Sequence, residues 1–274
     1  MTLLGATEIR ELAAKLDLNP SKGLGQNFVI DGNVCQRIVR QVSLTPSDVA
    51  LEIGPGLGSL TLAILETGAS LIAVEIDARL AKQLPETVAI HNPDADLLVV
   101  NQDALNVTEL SKPPTVLVAN LPYNVSVPVL LNLLERFQTI REGVVMVQAE
   151  VADRLAAKPG SKDYGVPSLK GAWWADLELA GNIARSIFWP VPNVDSKLVF
   201  FQRHEPLGDD EFRLKVFALI DAAFSQRRKM IRSAMSSVLG VNAESIIASA
   251  GIDPTLRGEA LDIFAYIAIA EQIK

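Results

Sequence analysis

Val49-Ala50-Leu51-Glu52-Ile53-Gly54-Pro55-Gly56-Leu57-Gly58-Ser59 decides the fold. A short, mostly apolar run of the length of a buried strand ends in glycines at alternate positions, and residues 59–67 then read as a helix. Outward from this turn the rhythm repeats. Apolar runs recur at 71–76, 97–100, 116–119 and 144–147, and a helix is expected over about 78–84. Short buried strands alternating with helices predict a parallel sheet covered on both faces. On the N-terminal side, Ile9, Leu12, Ala13 and Leu16 share one helical face, and a second helix is expected over 32–42. On the C-terminal side, 177–180 and 197–202 read as strands joined by an extended connection that Pro190 and Pro192 mark. They form an antiparallel pair at the end of the sheet. Beyond Pro206 the pattern is all helical, over about 209–224, 227–239, 243–250 and 258–272. Two domains follow, 1–205 built on the sheet with an N-terminal helical extension and 206–274 a small helical domain.

The composition agrees. Of 274 residues, 49% are hydrophobic and 21% charged, which excludes a disordered chain. No apolar run is long enough to cross a membrane as a helix, and the start lacks the pattern of a secretory signal, so a cytoplasmic location is expected. One cysteine, Cys35, and two histidines do not compose a metal site. The net charge of -7 argues against nucleic acid as a partner, but only as an average. Residues 222–243 hold no acid and four bases, Arg227, Arg228, Lys229 and Arg232. That cluster reads either as a solvated helix face or as a phosphate-contacting patch.

The glycine turn offers close backbone approach and, at the start of the next helix, unpaired N–H groups. Its Gly-x-Gly-x-Gly spacing differs from the Gly-x-Gly-x-x-Gly of dinucleotide binders, and Pro55 removes a donor that a pyrophosphate would use. Glu75, near the end of the second strand, is placed to accept the hydroxyls of an adenosine ribose. Asp103, after the third strand, either accepts from an adenine amino group or caps the next helix. These features fall at the carboxyl ends of the strands, where such sheets bind ligands. They describe a pocket for adenosine without a diphosphate, which S-adenosylmethionine fits better than NAD.

Asn120-Leu121-Pro122-Tyr123 follows the fourth strand. An exocyclic adenine amine is a poor nucleophile, and its alkylation needs acceptors that draw density onto nitrogen and aim its lone pair. The Asn120 side-chain oxygen supplies one acceptor, and a carbonyl of the Leu121-Pro122 turn, whose direction proline fixes, supplies another. Tyr123 is placed to stack on the base. Phe188, in Phe188-Trp189-Pro190-Val191-Pro192, is a candidate second clamp on an extruded base, while Trp189 reads as core packing.

In this order the motifs resemble the class I S-adenosylmethionine-dependent rRNA adenine N6-dimethyltransferases, and most closely their KsgA/RsmA-type branch, which modifies small-subunit (16S) rRNA. Leu24-Gly25-Gln26-Asn27-Phe28-Val29, Gln148-Ala149-Glu150-Val151-Ala152-Asp153-Arg154, Val194-Asp195-Ser196 and Ala223-Phe224-Ser225-Gln226-Arg227-Arg228-Lys229 extend the likeness over nearly the whole chain. The resemblance implies a Rossmann-like sheet, parallel with an antiparallel terminal strand, and a helical domain that recognises RNA or the ribosomal particle. It puts Asn27, Val29, Gly54, Glu75, Asp103 and Asn120 at cofactor-contacting positions, with Gln26, Gly56, Ile76 and Ala104 in the same motifs. Asn120, Leu121, Pro122, Tyr123 and Phe188 fall at target-adenine positions, and Arg227, Arg228, Lys229 and Arg232 on the RNA side. It further implies a metal-free monomer that dimethylates two adjacent adenosines near the 3′ end of small-subunit rRNA late in ribosome assembly, leaving S-adenosylhomocysteine. Val166-Pro167 and Asn193 depart from the family's usual residues, both in loops on the expected RNA side. Two other readings share the pocket, a large-subunit (23S) rRNA dimethyltransferase of the macrolide-resistance type and a non-catalytic small-subunit assembly factor.

Overall fold

A computed structural model of the protein describes residues 2–18 and 27–273. Its centre is a seven-stranded sheet in the order β4-β3-β2-β5-β6-β9-β7. The strands are β2 (Val49–Ile53), β3 (Ser70–Glu75), β4 (Leu97–Asn101), β5 (Val116–Asn120), β6 (Glu142–Gln148), β7 (Ala175–Ile183) and β9 (Ser196–Arg203). A separate two-stranded ribbon pairs β1 (Phe28–Val29) with β8 (Phe188–Trp189).

The pairs β2–β3, β3–β4, β2–β5 and β5–β6 are parallel, and β9 runs antiparallel to β6. The antiparallel strand is the last in sequence, but it lies one place in from the edge, with β7 outside it. Ala50, Leu51, Glu52 and Ile53 are all buried although successive residues point to opposite faces, so both faces of the central strands are covered. Where β5, β6 and β9 meet, Gly143 leaves no room for a side chain: a Cβ there would lie 2.6 Å from the Leu117 carbonyl oxygen and from the Phe201 ring.

The helices around the sheet are α1 (Ala6–Lys15), α2 (Gly32–Val39), α3 (Ser59–Leu65), α4 (Ala78–His91), α5 (Ser126–Arg136) and α6 (Ala149–Leu155). Asp31 caps α2 by accepting from the Asn33 and Val34 N–H groups, and Asp77 caps α4 through Arg79 N–H. α3, which follows the glycine turn, is buried on every side. Ile9, Ile38, Leu62 and Leu84, from four helices, join Val118 and Val144 of the sheet in one apolar core. No helix among the described residues is long and apolar enough to cross a membrane.

The chain divides into two compact units, Met1–Ala152 with Glu178–Arg203, and Asp153–Leu177 with His204–Lys274. The boundary expected near 205 marks only the last crossing, because residues 153–177 group with the C-terminal helices. That second unit contains α7 (Val166–Gly171), α8 (Asp210–Ser225), α9 (Ile231–Ala234), α10 (Ser236–Leu239), α11 (Ala243–Ser249) and α12 (Ile263–Glu271). Within it the Tyr164 hydroxyl donates to the Leu261 carbonyl at 3.0 Å, and Trp173 packs against Phe212 and Phe217. Such contacts between segments far apart in sequence leave no periodic signal at residue 153.

Candidate functional site

A cavity of about 300 Å³ opens at the carboxyl ends of the central strands. Asn27, Val29, Gly54, Gly56, Glu75, Ile76, Asp103, Ala104, Asn120, Leu121, Pro122 and Tyr123 all line it. Four strand ends thus bring together residues spread over nearly a hundred positions. Gln26 lies outside the described residues.

The glycine turn forms the floor. Gly54 and Gly56 have φ of 67° and 59°, a region L side chains rarely adopt. A Cβ on Gly56 would also lie 3.1 Å from the Phe28 ring. Gly54 N–H donates to the Val74 carbonyl at 2.9 Å, which ties the turn to β3.

Glu75 closes one side. Its Oε2 accepts from Gly56 N–H at 3.1 Å and its Oε1 from Asp77 N–H at 3.0 Å. With only 5% of the residue exposed, burial raises its carboxyl above the ordinary value, and these two N–H donors oppose that shift. Behind the turn Glu52 is 1% exposed and accepts from the Thr61 hydroxyl at 2.7 Å. Burial pushes its carboxyl up to about 8; the Thr61 bond works against this and the nearby Glu75 charge adds to it. Burial thus raises both acids under the turn, Glu75 held by backbone N–H groups through both oxygens and Glu52 by the Thr61 hydroxyl. Asn101 fixes the adjoining segment by donating from Nδ2 to the Glu75 and Ile76 carbonyls at 2.7 and 3.2 Å.

Asp103 does cap a turn: its Oδ1 accepts from Leu105 N–H at 2.9 Å in a short 3-10 turn over Ala104–Asn106. It also faces the cavity, so the two sequence readings of this residue are compatible.

At the end of β5, Asn120 donates from Nδ2 to the Asn27 carbonyl at 3.4 Å. Its Oδ1 is buried and accepts no hydrogen bond from any described residue. An orphaned buried acceptor costs roughly 1–3 kcal/mol, so a position that tolerates one is arranged for a donor brought from outside. In the adjoining turn Leu121 N–H donates to Met146 O at 3.0 Å and Val125 N–H to Pro122 O at 3.2 Å. The Pro122 carbonyl is thereby engaged, which leaves the Leu121 carbonyl as the acceptor of this turn. The Tyr123 hydroxyl shares a 2.7 Å hydrogen bond with Ser196 Oγ, a partner that no motif spacing pointed to.

Phe188 departs from expectation. It is 1% exposed, packs in the core with Ile183 and Leu198, and is absent from the cavity wall. Alternation along β8 turns Phe188 inward and leaves Trp189 partly exposed, stacked on Phe28 with ring centroids 6.4 Å apart. Phe188 reaches the site only through its backbone, paired with Val29 in the ribbon. The Val29 carbonyl in turn accepts from the Ser59 hydroxyl at 2.6 Å, which binds the ribbon to α3.

In the second unit, Arg227, Arg228 and Lys229 lie in a turn between α8 and α9 and Arg232 on the short helix α9, so the cluster is not on a continuous helix over 227–239. Arg227 pairs with Glu259 at 2.7 Å and donates to the Lys162 carbonyl at 2.8 Å, and Arg232 pairs with Glu244 at 2.8 Å. Acids distant in sequence thus neutralise two of the four bases. Arg228 and Lys229 are exposed and have no carboxylate partner among the described residues.

Comparison with known proteins identifies the family. The family model for ribosomal RNA adenine dimethylase matches residues 18–274. A protein of Leifsonia xyli called ribosomal RNA small subunit methyltransferase A is 56% identical, over 98% of both chains. The protein of that name from Paenarthrobacter aurescens is 54% identical, over 98% of this chain and 93% of its own. Among solved structures, a dimethyladenosine transferase from Plasmodium falciparum superposes with a TM-score of 0.76 at 21% identity, over 88% of this chain and 95% of that one. The 23S rRNA methyltransferase ErmE does so with 0.69 at 25% identity, over 90% and 99%. A family model matched over residues 18–274, and relatives 54% and 56% identical over 98% of the chain, make this chain a member of the ribosomal RNA adenine dimethylase family.

Proposed function

We propose that this protein transfers methyl groups from S-adenosylmethionine to N6 of two adjacent adenosines near the 3′ end of small-subunit (16S) rRNA, giving N6,N6-dimethyladenosine during late assembly of the subunit. The observation that carries the reading is the buried, unpartnered Asn120 Oδ1 on the wall of the cavity. An adenine amino group entering there meets two acceptors, Asn120 Oδ1 and the Leu121 carbonyl. Together they hold both N–H bonds and leave the nitrogen lone pair directed into the cavity. Tyr123 forms the wall against which the base stacks. Stacking is assigned to Tyr123 alone, because Phe188 would have to leave the core to meet a base.

The remaining lining residues fit an adenosine-bearing methyl donor. Glu75 keeps unused lone pairs on both oxygens for ribose hydroxyls, Asp103 faces the same space, and Asn27, Gly54 and Gly56 leave backbone within close reach. When bound, S-adenosylmethionine supplies a methyl group on a sulfonium, an already activated leaving group. The protein's task is therefore alignment, which by itself accounts for much of the rate in such a transfer. An adenosine in an unpaired loop reaches the cavity with little unstacking cost. Of the four clustered bases in the helical unit, Arg228 and Lys229 are the two without a carboxylate partner among the described residues, which leaves them available to rRNA phosphates.

The test offers unmethylated small and large ribosomal subunits to the protein with labelled cofactor and maps the modified adenosines by mass spectrometry. Dimethylation of adjacent adenosines in small-subunit rRNA is expected. Label in the large subunit alone would overturn the assignment.

A further inference from the structure

We propose that Ser196 is a positioning residue for methyl transfer, acting through Tyr123 and without touching the base. This role rests on the functional reading above.

The residue is buried and anchored through the sheet backbone. It is 1% exposed, opens β9, and sits opposite Gln148 in the β6–β9 register. Just before it the Asp195 carbonyl accepts from Ala149 N–H at 2.9 Å, so backbone bonds anchor the strand where Ser196 begins. Its Oγ is thus a fixed point of the central sheet. Tyr123, by contrast, belongs to the connection between β5 and α5, where the hydrogen bonds engage mainly its neighbours: Val125 N–H to Pro122 O at 3.2 Å, and a long 3.5 Å bond from the Ser126 hydroxyl to the Tyr123 carbonyl. An aromatic side chain on such a connection turns about two torsions. The 2.7 Å bond between the Tyr123 hydroxyl and Ser196 Oγ ties the far end of the ring to the sheet and restrains both torsions.

The cavity wall gives this pin its purpose. A base stacked on Tyr123 inherits the plane of that ring, while Asn120 Oδ1 and the Leu121 carbonyl are fixed by β5 and the following turn. If the ring swings, the base tilts and the amine leaves one acceptor. The second transfer is the more demanding, because the amine then carries a methyl group and retains one N–H with which to find its place. Ser196 therefore affects the yield of dimethylated over monomethylated adenosine as well as the rate.

A double-mutant cycle on the full chain tests this, with unmethylated small subunits and saturating S-adenosylmethionine. Ser196→Ala and Tyr123→Phe, which removes only the hydroxyl, should each lower kcat about tenfold. Both should raise the share of monomethyladenosine and leave cofactor affinity within about twofold. The double variant should be no worse than either single one, and Ser196→Thr should restore the wild-type product ratio. Wild-type kcat and product ratio in Tyr123→Phe would overturn the proposal even if Ser196→Ala did not fold. Losses that multiply in the double variant, or a parallel loss of cofactor affinity, would also overturn it. Absence of transfer by the wild-type protein would overturn the functional reading first, and this role with it.

Discussion

Replacing Glu75 by Gln separates charge from shape at the proposed ribose site. Each carboxylate oxygen already accepts one backbone N–H, Gly56 at 3.1 Å and Asp77 at 3.0 Å, and each has a further lone pair for a ribose hydroxyl. Glutamine keeps one oxygen and sets an NH2 against the other N–H. One bond to the ribose is then lost, and the other falls from a charged to a neutral acceptor. Hydrogen bonds to charged groups contribute about 1.5–3 kcal/mol and neutral ones about 0.5–1.5. The combined loss is roughly 2–4 kcal/mol, or about 30- to 1000-fold in Kd. Stability should change little, since the orphaned N–H is offset by relief of a buried charge whose carboxyl burial already raises. Titration calorimetry with S-adenosylmethionine provides the measurement. The wild-type affinity should also fall on acidification, starting above the usual carboxylate range, and the Gln variant should lose that dependence. A cofactor analogue without ribose hydroxyls should bind both proteins alike. A variant Kd within threefold of wild type would refute the ribose assignment.

Asn120→Ala should abolish transfer while cofactor affinity stays within about tenfold, roughly 1.4 kcal/mol, and a single-turnover assay with labelled cofactor would show an active variant if the acceptor role is wrong. Glu52→Gln concerns stability: a carboxyl raised to about 8 contributes stability that is full below about 4.5 and lost as pH rises through 8. The variant should therefore melt higher than wild type at pH 8.5, by up to roughly 3–5 kcal/mol, with the gain absent at pH 4, and equal melting at both pH values would contradict the buried-charge argument. Gly143→Ala forces a Cβ against the Leu117 carbonyl and the Phe201 ring, and its urea midpoint should drop by the equivalent of about 3 kcal/mol. Charge reversal at Arg228 and Lys229 should reduce the salt slope of small-subunit binding by about 2, whereas an unchanged slope would return both to a solvated surface role.

The sheet was readable because its central strands are buried on both faces and so appear as unbroken apolar runs, residues 116–119 being the plainest. The glycine turn and the Asn120-Leu121-Pro122-Tyr123 segment were readable because backbone conformation and chemistry restrict which residues serve there. Pairing across the fold was not. The acid-free stretch around Arg227 meets its acids in space, Glu259 and Glu244, so the count of local bases overstated the free charge. Phe188 and Trp189 are adjacent aromatics, and only the register of β8 against β1 decides which one turns inward. Ser196 stands in the Val194-Asp195-Ser196 motif, but its pairing with Tyr123 shows only once β9 is seen to pass that ring.

The ribbon that joins Phe28–Val29 to Phe188–Trp189 sets an order of assembly during synthesis. About 160 residues separate its two strands, so at ribosomal speeds roughly 8–30 s pass between the emergence of one and of the other. The glycine turn, Glu75 and Asn120 are all out of the exit tunnel well before that. Until Phe188 arrives, Val29 has no strand partner, and the cavity lacks the support of one wall. A nascent chain therefore carries the reactive geometry in pieces, and a fragment that stops short of residue 188 holds every residue assigned to the amine and none of the strand that braces its neighbour.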